Sequence, residues 1–255
     1  MYFFRKKNFY VYNVFGINPY TNAKAAGRDF YIPKLESYNE ISEEKLNVFL
    51  DAMCGSTGLS RLNVETILDR IAVNLAALHG TENQALNVLL LFLSFDTVEY
   101  SYKLIDFDED KGGYALDSCV RYFFDNVLIF DKNMTPGLRM HFGEYLFINS
   151  GIKLKLPKDT AGVFRNKSGR GKNGWDVRAE VVDEDYSGYV HLSVAYTAVH
   201  QDADKRIFCG DKLTQMLLLP IVQAEDVVVT EEEFNNLHKK SERADKGFGS
   251  SNEKH

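Results

Sequence analysis

Apolar positions recur with two different periods along this chain, and the period changes twice. Residues 8–15, Asn-Phe-Tyr-Val-Tyr-Asn-Val-Phe, are dense in aromatic and β-branched side chains and predict a strand. After Pro33 the spacing turns helical. Ser42 stands where an N-cap belongs, and Leu46, Phe49, Leu50 and Met53 follow at i, i+3, i+4 and i+7. Glycines at 55 and 58 break this pattern. Val64, Ile67, Leu68, Ile71, Leu75 and Leu78 then form one stripe that stops at Gly80. Thr81 with Gln84 has the spacing of a capping box for a third helix to about Ser94. That helix is apolar on nearly every face, which predicts burial inside the helical region or in an interface. From Thr97 to Phe130 the signal is mixed: 100–107 reads as a strand, and Leu116–Leu128 reads equally as helix or strand.

Beyond Pro136 the pattern is one of short strands and turns. Phe147–Leu156 and Tyr189–Val199 alternate, and Val181-Val182 leads into a turn at Asp183–Gly188. Leu213–Val222 is a nearly continuous apolar run of the kind buried on both sides, and a short acidic helix follows Thr230. The pattern predicts a mainly β domain built from 1–33 and 131–255. A mostly helical insertion over 34–130 interrupts it.

Composition narrows the classes. An apolar content of 45% over 255 residues is enough to bury a core. A net charge of −6 excludes a broad nucleic-acid or anionic-membrane surface, so any phosphate site must be local. The longest apolar run, Val88–Leu93, is far short of the roughly 20 residues of a membrane span. The N-terminus lacks the apolar run of a secretory signal, and Cys54, Cys119 and Cys209 lack metal or redox spacing. These features predict a cytoplasmic protein.

Five short segments combine glycine with charged, hydroxyl or amide residues beside strands. In Ala25-Ala-Gly-Arg-Asp29, a small-residue turn precedes a carboxylate that can hold a hydrated metal or be an ordinary turn residue. Asn166–Gly174 carries three glycines, three basic residues and Ser168; it suits phosphate oxygens and equally a solvated hairpin loop. Asp183, at a strand end, can orient and deprotonate a water, and Tyr186 can pack flat on a sugar; an acidic hairpin turn is the plain alternative. Gln215 heads the buried apolar strand and needs a hydrogen-bond partner, which could be ligand, water or backbone. Arg243–His255 joins Arg243, Lys246, Gly247, Phe248, Gly249 and Ser250, which could hold an anion at one end and a flat ring at the other. It also reads as a frayed polar end.

In this order the segments resemble the five motifs of the trimeric dUTPase family: AGxD, RSG, GxIDxDYxG, GDxxxQ and RGxGGFGS. They stand here as Ala26–Asp29, Lys167–Gly169, Val182–Gly188, Gly210–Gln215 and Arg243–Ser250, with Ile148–Pro157 similar to the family's TGIxIxxP strand. The resemblance covers 1–33 and 131–255. It implies a distorted jelly-roll β-barrel interrupted by the α-helical insertion, and hydrolysis of dUTP to dUMP and pyrophosphate, which limits uracil in DNA and supplies dUMP. By it, Asp183 activates the attacking water and reads the 3′-hydroxyl, Tyr186 excludes ribonucleotides, and Gln215 binds a phosphate or the water. Lys167, Ser168 and Gly169 bind phosphate oxygens, and Asp29 helps hold Mg²⁺ through its water shell. Arg243 clamps the terminal phosphates while Phe248, with Gly249 and Ser250, closes over the uracil. It further implies a homotrimer with shared sites, each closed by the tail of another subunit.

Three departures stand out. Lys167 replaces an arginine and loses its bidentate fork, for which Arg165 or Arg170 could compensate. Glu180 stands at a usual glycine, and Ala244-Asp245-Lys246 replaces small residues. The related dCTP deaminases need a glutamate where this chain has Leu192-Ser193-Val194, so deamination is disfavoured. A second reading is a non-enzymatic interaction or regulatory scaffold acting through 34–130. Some bacteriophage members carry insertions linked to regulatory binding, which admits a viral source and a host-cytoplasm setting.

Overall fold

The computed structural model describes residues 8–15, 20–21, 26–79, 83–96, 112–197 and 205–237. The chain divides into two units, 1–221 and 222–255. In the first, strands β1 (Tyr10–Asn13), β2 (Tyr20–Thr21) and β3 (Arg28–Tyr31) precede helices α1 (Glu43–Thr57), α2 (Arg61–His79) and α3 (Ala85–Ser94). Strand β4 (Phe95–Asp96) follows. Helix α4 (Gly112–Tyr122) passes through a π-helical turn, Phe123–Val127, into β5 (Leu128–Phe130). This settles the ambiguous stretch: it is helix to Tyr122 and strand from Leu128, and the wider turn between them puts Phe123 and Val127 into the core.

The later strands are β6 (Pro136–Met140), β7 (Tyr145–Lys155), β8 (Thr160–Asn166), β9 (Trp175–Arg178), β10 (Val181–Val182), β11 (Tyr189–Tyr196), β12 (Lys205–Phe208) and β13 (Lys212–Pro220). They form three antiparallel sheets. The first runs β1-β7-β11-β9 with β4 also on β7, the second β10-β8-β13-β3-β2, and the third β12-β6-β5.

Local signals explain most boundaries. The Ser42 hydroxyl accepts from the Lys45 N–H, with Glu43 and Glu44 beside it in the first turn of α1, and Gly58 ends that helix at a φ of +72°. Phe49, Leu50 and Met53 are buried as their spacing predicts, as is the α2 stripe from Val64 to Leu75; Leu78, its last member, is exposed. Two expectations need correction. Gln84 is itself the N-cap of α3 and makes no side-chain capping bond, so a box placing it inside the first turn does not form; Thr81 lies outside the described residues. On β13 only the first half is buried, because the strand's far end runs out to Leu219 and Pro220 at the surface.

Helix α3 is buried from Ala85 to Phe92 and packs against α1, α2, β6 and β7. Its burial accounts for β7, which expected alternation would leave half-exposed but which is buried at every position from Ile148 to Ile152. One apolar cluster contains side chains of α1–α4 and of the sheets alike. The 34–130 segment therefore shares its core with the strands. Asn87 is the polar exception on α3. Its amide oxygen accepts from the Leu35 N–H at 2.9 Å, and its nitrogen donates to the Leu35 carbonyl at 3.3 Å. This pair satisfies the chain just after β3 deep in the core.

In the second unit, Thr230 and Glu233 cap the helix Glu231–Leu237 reciprocally: Glu233 Oε2 accepts from the Thr230 N–H at 2.7 Å, and Thr230 Oγ1 from the Glu233 N–H at 3.3 Å. This is the acidic helix expected after Thr230.

Replacing Asn87 with Leu keeps the branched shape and strands both backbone groups of Leu35. The variant is expected to lose about 2–3 kcal/mol of stability in urea unfolding; an unchanged midpoint would show that the pair does not hold the β3 exit.

Candidate active site

Strand register assembles the first cluster. Gln215 on β13 lies directly across from Asp29 on β3 and from Arg165 on β8, so the three share one face of the second sheet. Asp29 is thus a strand residue and nearly buried, where a turn position was expected. Its carboxylate pairs with Lys167 through one oxygen and with Lys212 Nζ through the other at 3.1 Å. Burial alone would raise its pKa. The hydrogen bonds and charges of the two lysines outweigh that and hold it below the usual carboxylate value. Lys212 is in turn pushed up, first by its bond to Asp29 and then by Tyr31.

The Gln215 side chain packs over Gly27, where a Cβ would sit 3.1 Å from its amide oxygen, which is why a small residue stands shortly before Asp29. The Gln215 amide donates to the Asn166 carbonyl at 2.9 Å, so the predicted partner is first of all backbone. That bond fixes the segment leading to Lys167, Ser168 and Gly169, which opens a short helix, Ser168–Lys172, with Ser168 and Gly169 exposed. The arginines that could stand in for the missing motif arginine both have carboxylate partners. Arg165 pairs with Glu180, and Arg170 with Asp211 at 2.9 Å. The departure at Glu180 therefore occupies one of the two arginines that could have compensated for Lys167.

A second cluster surrounds the β10–β11 hairpin. Phe147, Phe164, Ala179, Val181, Val182, Asp183, Tyr186, Val190 and His191 line a cleft of about 230 Å³. The Asp183 carbonyl accepts from the Tyr186 N–H at 3.2 Å and closes the turn. Tyr186 then folds back over Gly188, where a Cβ would stand 2.6 Å from the phenol oxygen, and its hydroxyl donates to the Tyr189 carbonyl at 2.8 Å. The glycine of the DxDYxG turn thus leaves room for the tyrosine. Ala179, at a φ of +52°, turns the chain into β10.

The two clusters stand apart within one chain. Val182 faces Gly162 near the start of β8, whereas Lys167 follows the end of that strand. Lys167 stands five positions along the chain from Gly162, roughly 16 Å of extended backbone. The structure brings Asp29, Lys167, Ser168, Gly169 and Gln215 together, and separately Asp183 with Tyr186. Arg243, Phe248, Gly249 and Ser250 lie outside the described residues. Sequence reasoning missed Lys212, Tyr31, Phe147 and His191. Lys212 had a signal, being the one cation inside the GDxxxQ segment; the ring pair had none.

The family model described as dUTPase matches residues 129–252. The deoxyuridine 5′-triphosphate nucleotidohydrolase of Gamma-proteobacterium EBAC31A08 is 35% identical over 146 residues, which are 56% of this chain and 91% of that protein. The chain belongs to the dUTPase family. The nucleotidohydrolase of Candida albicans is 34% identical over 40% of this chain, which spans only 61% of that relative's length. It spans 10% of the Gag-Pro polyprotein of mouse mammary tumor virus, at 31% identity. A Staphylococcus bacteriophage 80alpha dUTPase solved with dUpNHpp is similar at a TM-score of 0.34 and 18% identity, over 49% of this chain and 90% of that one. The mainly β, antiparallel architecture interrupted by helices is the expected fold class of this family.

His191 stacks flat on Phe147, the ring centroids 4.6 Å apart. Its Nδ1 lies 2.9 Å from the Tyr189 carbonyl, which fixes the proton there, and its buried Nε2 has no hydrogen-bond partner among the described residues. Burial lowers the His191 pKa, against a smaller opposing effect of the Tyr189 bond. The unfolded chain then binds the proton more tightly than the folded one. Stability should therefore be full above pH 6.5 and fall as pH drops below it, with one extra proton taken up on unfolding. Urea midpoints measured from pH 7.5 to 5 should show this slope in the wild type and lose it in His191→Phe; identical slopes would discard the assignment.

Proposed function

We propose that this protein hydrolyses dUTP to dUMP and pyrophosphate. The observation that carries the reading is the hairpin at Asp183–Gly188. It holds an exposed carboxylate beside a tyrosine ring locked over a glycine, at the rim of an apolar cleft wide enough for a base. Asp183 serves as the general base that orients and deprotonates the water attacking the α-phosphorus. Tyr186 packs on the deoxyribose and leaves no room for a 2′-hydroxyl. Lys167, Ser168 and Gly169 bind the phosphate oxygens, and Gln215 hydrogen-bonds a phosphate or the water. Arg243 and Phe248, with Gly249 and Ser250, would clamp the phosphates and cover the base.

The separation of the two clusters supports a homotrimer with shared sites, the Asp183 hairpin of one subunit meeting the Asp29–Lys167–Gln215 cluster of another. The relatives' names support dUTP as substrate. Mg²⁺ dependence is proposed on the family resemblance, but the residues present do not fit the expected role of Asp29: both of its oxygens are taken by ammonium groups, and no step is routed through a metal there. Among the described residues no helix is long and apolar enough to cross a membrane, and a cytoplasmic setting is proposed with the function.

In this reading 1–33 and 131–255 make up the catalytic β domain, 243–255 its arm and 34–130 a helical insertion. Among the described residues of 34–130, a protein partner would use the outer faces of α1, α2 and α4, since α3 is already covered.

Pyrophosphate release should be confined to dUTP when dUTP, dTTP, dCTP and UTP are compared with Mg²⁺ present. Turnover of none of them would favour the scaffold reading. Asp183→Asn should reduce kcat by at least about a thousandfold while dUTP binding by calorimetry stays within a few-fold. Removing 243–255 should eliminate most activity without shifting the thermal midpoint. Full activity in that truncation would exclude the arm from the reaction.

A further inference from the structure

Two ammonium groups converge on Asp29, where one would neutralise it. Lys167 comes from the loop after β8 and Lys212 from the first residue of β13. The trio keeps one net positive charge. An ammonium has three N–H donors. Lys167 commits one to Asp29, and Lys212 commits its donors to Asp29 and Tyr31, so donors remain for a further acceptor. About half of the Lys212 side chain is exposed, whereas Asp29 is nearly buried. A ligand can therefore reach the cations more readily than the anion. Ser168 and Gly169 follow Lys167 directly, and Gln215 faces Asp29 across the sheet, so the cations border the residues assigned to phosphate.

We propose that Lys167 and Lys212 form a two-ammonium seat for a polyphosphate chain, and that Asp29 is the positioning residue that holds them side by side rather than a ligand of hydrated metal. The choice of a nucleotide's phosphates as occupant rests on the hydrolase reading above; the seat itself rests on the ion-pair geometry. It also explains how the chain does without the bidentate arginine. Two point charges held on one carboxylate span adjacent phosphate oxygens, as a planar fork would.

The roles of Asp29 separate by the sign of its neutralisation. If Asp29 only placed negative charge near the phosphates, Asp29→Asn would tighten polyphosphate binding. As a metal ligand, the variant would be impaired only with Mg²⁺ and restored by excess Mg²⁺. As the anchor, it loosens binding without metal, and Mg²⁺ does not restore it.

Calorimetry of inorganic tripolyphosphate binding to the full chain in EDTA reads this directly. Lys212→Met is expected to weaken binding about tenfold, the loss of one charge-assisted contact, and Lys212→Arg to retain most of it. Asp29→Asn is expected to weaken binding about fivefold or more, with no recovery in excess Mg²⁺. Unchanged binding in Lys212→Met, or equal or tighter binding in Asp29→Asn, overturns the seat. Should Asp29→Asn fail to fold, the wild-type ammonium resonances decide. Those of both lysines shift on adding tripolyphosphate in EDTA, and a spectrum in which neither moves overturns the proposal. A wild type that binds tripolyphosphate but turns over no dUTP would sink the hydrolase reading and leave the seat. Unaltered KM and kcat for dUTP in Lys212→Met would sink the seat and leave the reading.

Discussion

A helix that is apolar on every face must be covered on every face, and α3 imposes that constraint on the rest of the chain. Its residues from Ala85 to Phe92 are buried beneath α1, α2, β6 and β7. Covering it is what converts the middle of β7 from a half-exposed strand into a fully buried one. It also requires that the one polar side chain in its path, Asn87, close both backbone groups of Leu35. The helical segment and the first sheet are consequently parts of one core, although one interrupts the other in sequence.

With the first sheet so committed, the candidate site residues lie on the second sheet and on the hairpin at its edge. There the antiparallel register does the positioning. Residues almost two hundred apart in sequence, Asp29 and Gln215, become cross-strand neighbours on one face, and Arg165 completes the row. The side chains of this row are tied down in pairs: Asp29 to two lysines, Gln215 to the Asn166 carbonyl, Arg165 to Glu180. Ordered partners of this kind hold a binding surface without requiring it to rearrange when an anion arrives. The hairpin reaches the same end by packing, with Tyr186 lodged over Gly188 and His191 stacked on Phe147.

Departures from the family motifs also make sense as contacts. Glu180 in place of glycine looks disruptive in isolation, but it supplies the carboxylate for Arg165. Lys167 in place of arginine looks weaker, but it shares Asp29 with a second lysine. In each case the substituted charge is balanced by a partner brought close by the second sheet.

How much was legible in the sequence follows from the range of each signal. Ser42 as N-cap, the α1 and α2 stripes, the acidic helix after Thr230 and the DxDYxG turn were all readable, because each depends on residues within about one or two turns of one another. The order of the five motifs marked Lys167, Ser168, Gly169, Asp183, Tyr186 and Gln215 as candidates for the same reason. The misreadings arose where a distant partner decided. Burial of β7 on both faces, the placing of Asp29 in a strand, the partners of Arg165 and Arg170, and the His191–Phe147 stack depend on strands or helices remote in the chain. The sequence by itself thus determined which local elements form and which side chains are candidates for the chemistry. Only the tertiary structure decided which of those side chains meet, since cross-strand register and the covering of α3 set the distances that local pattern leaves open.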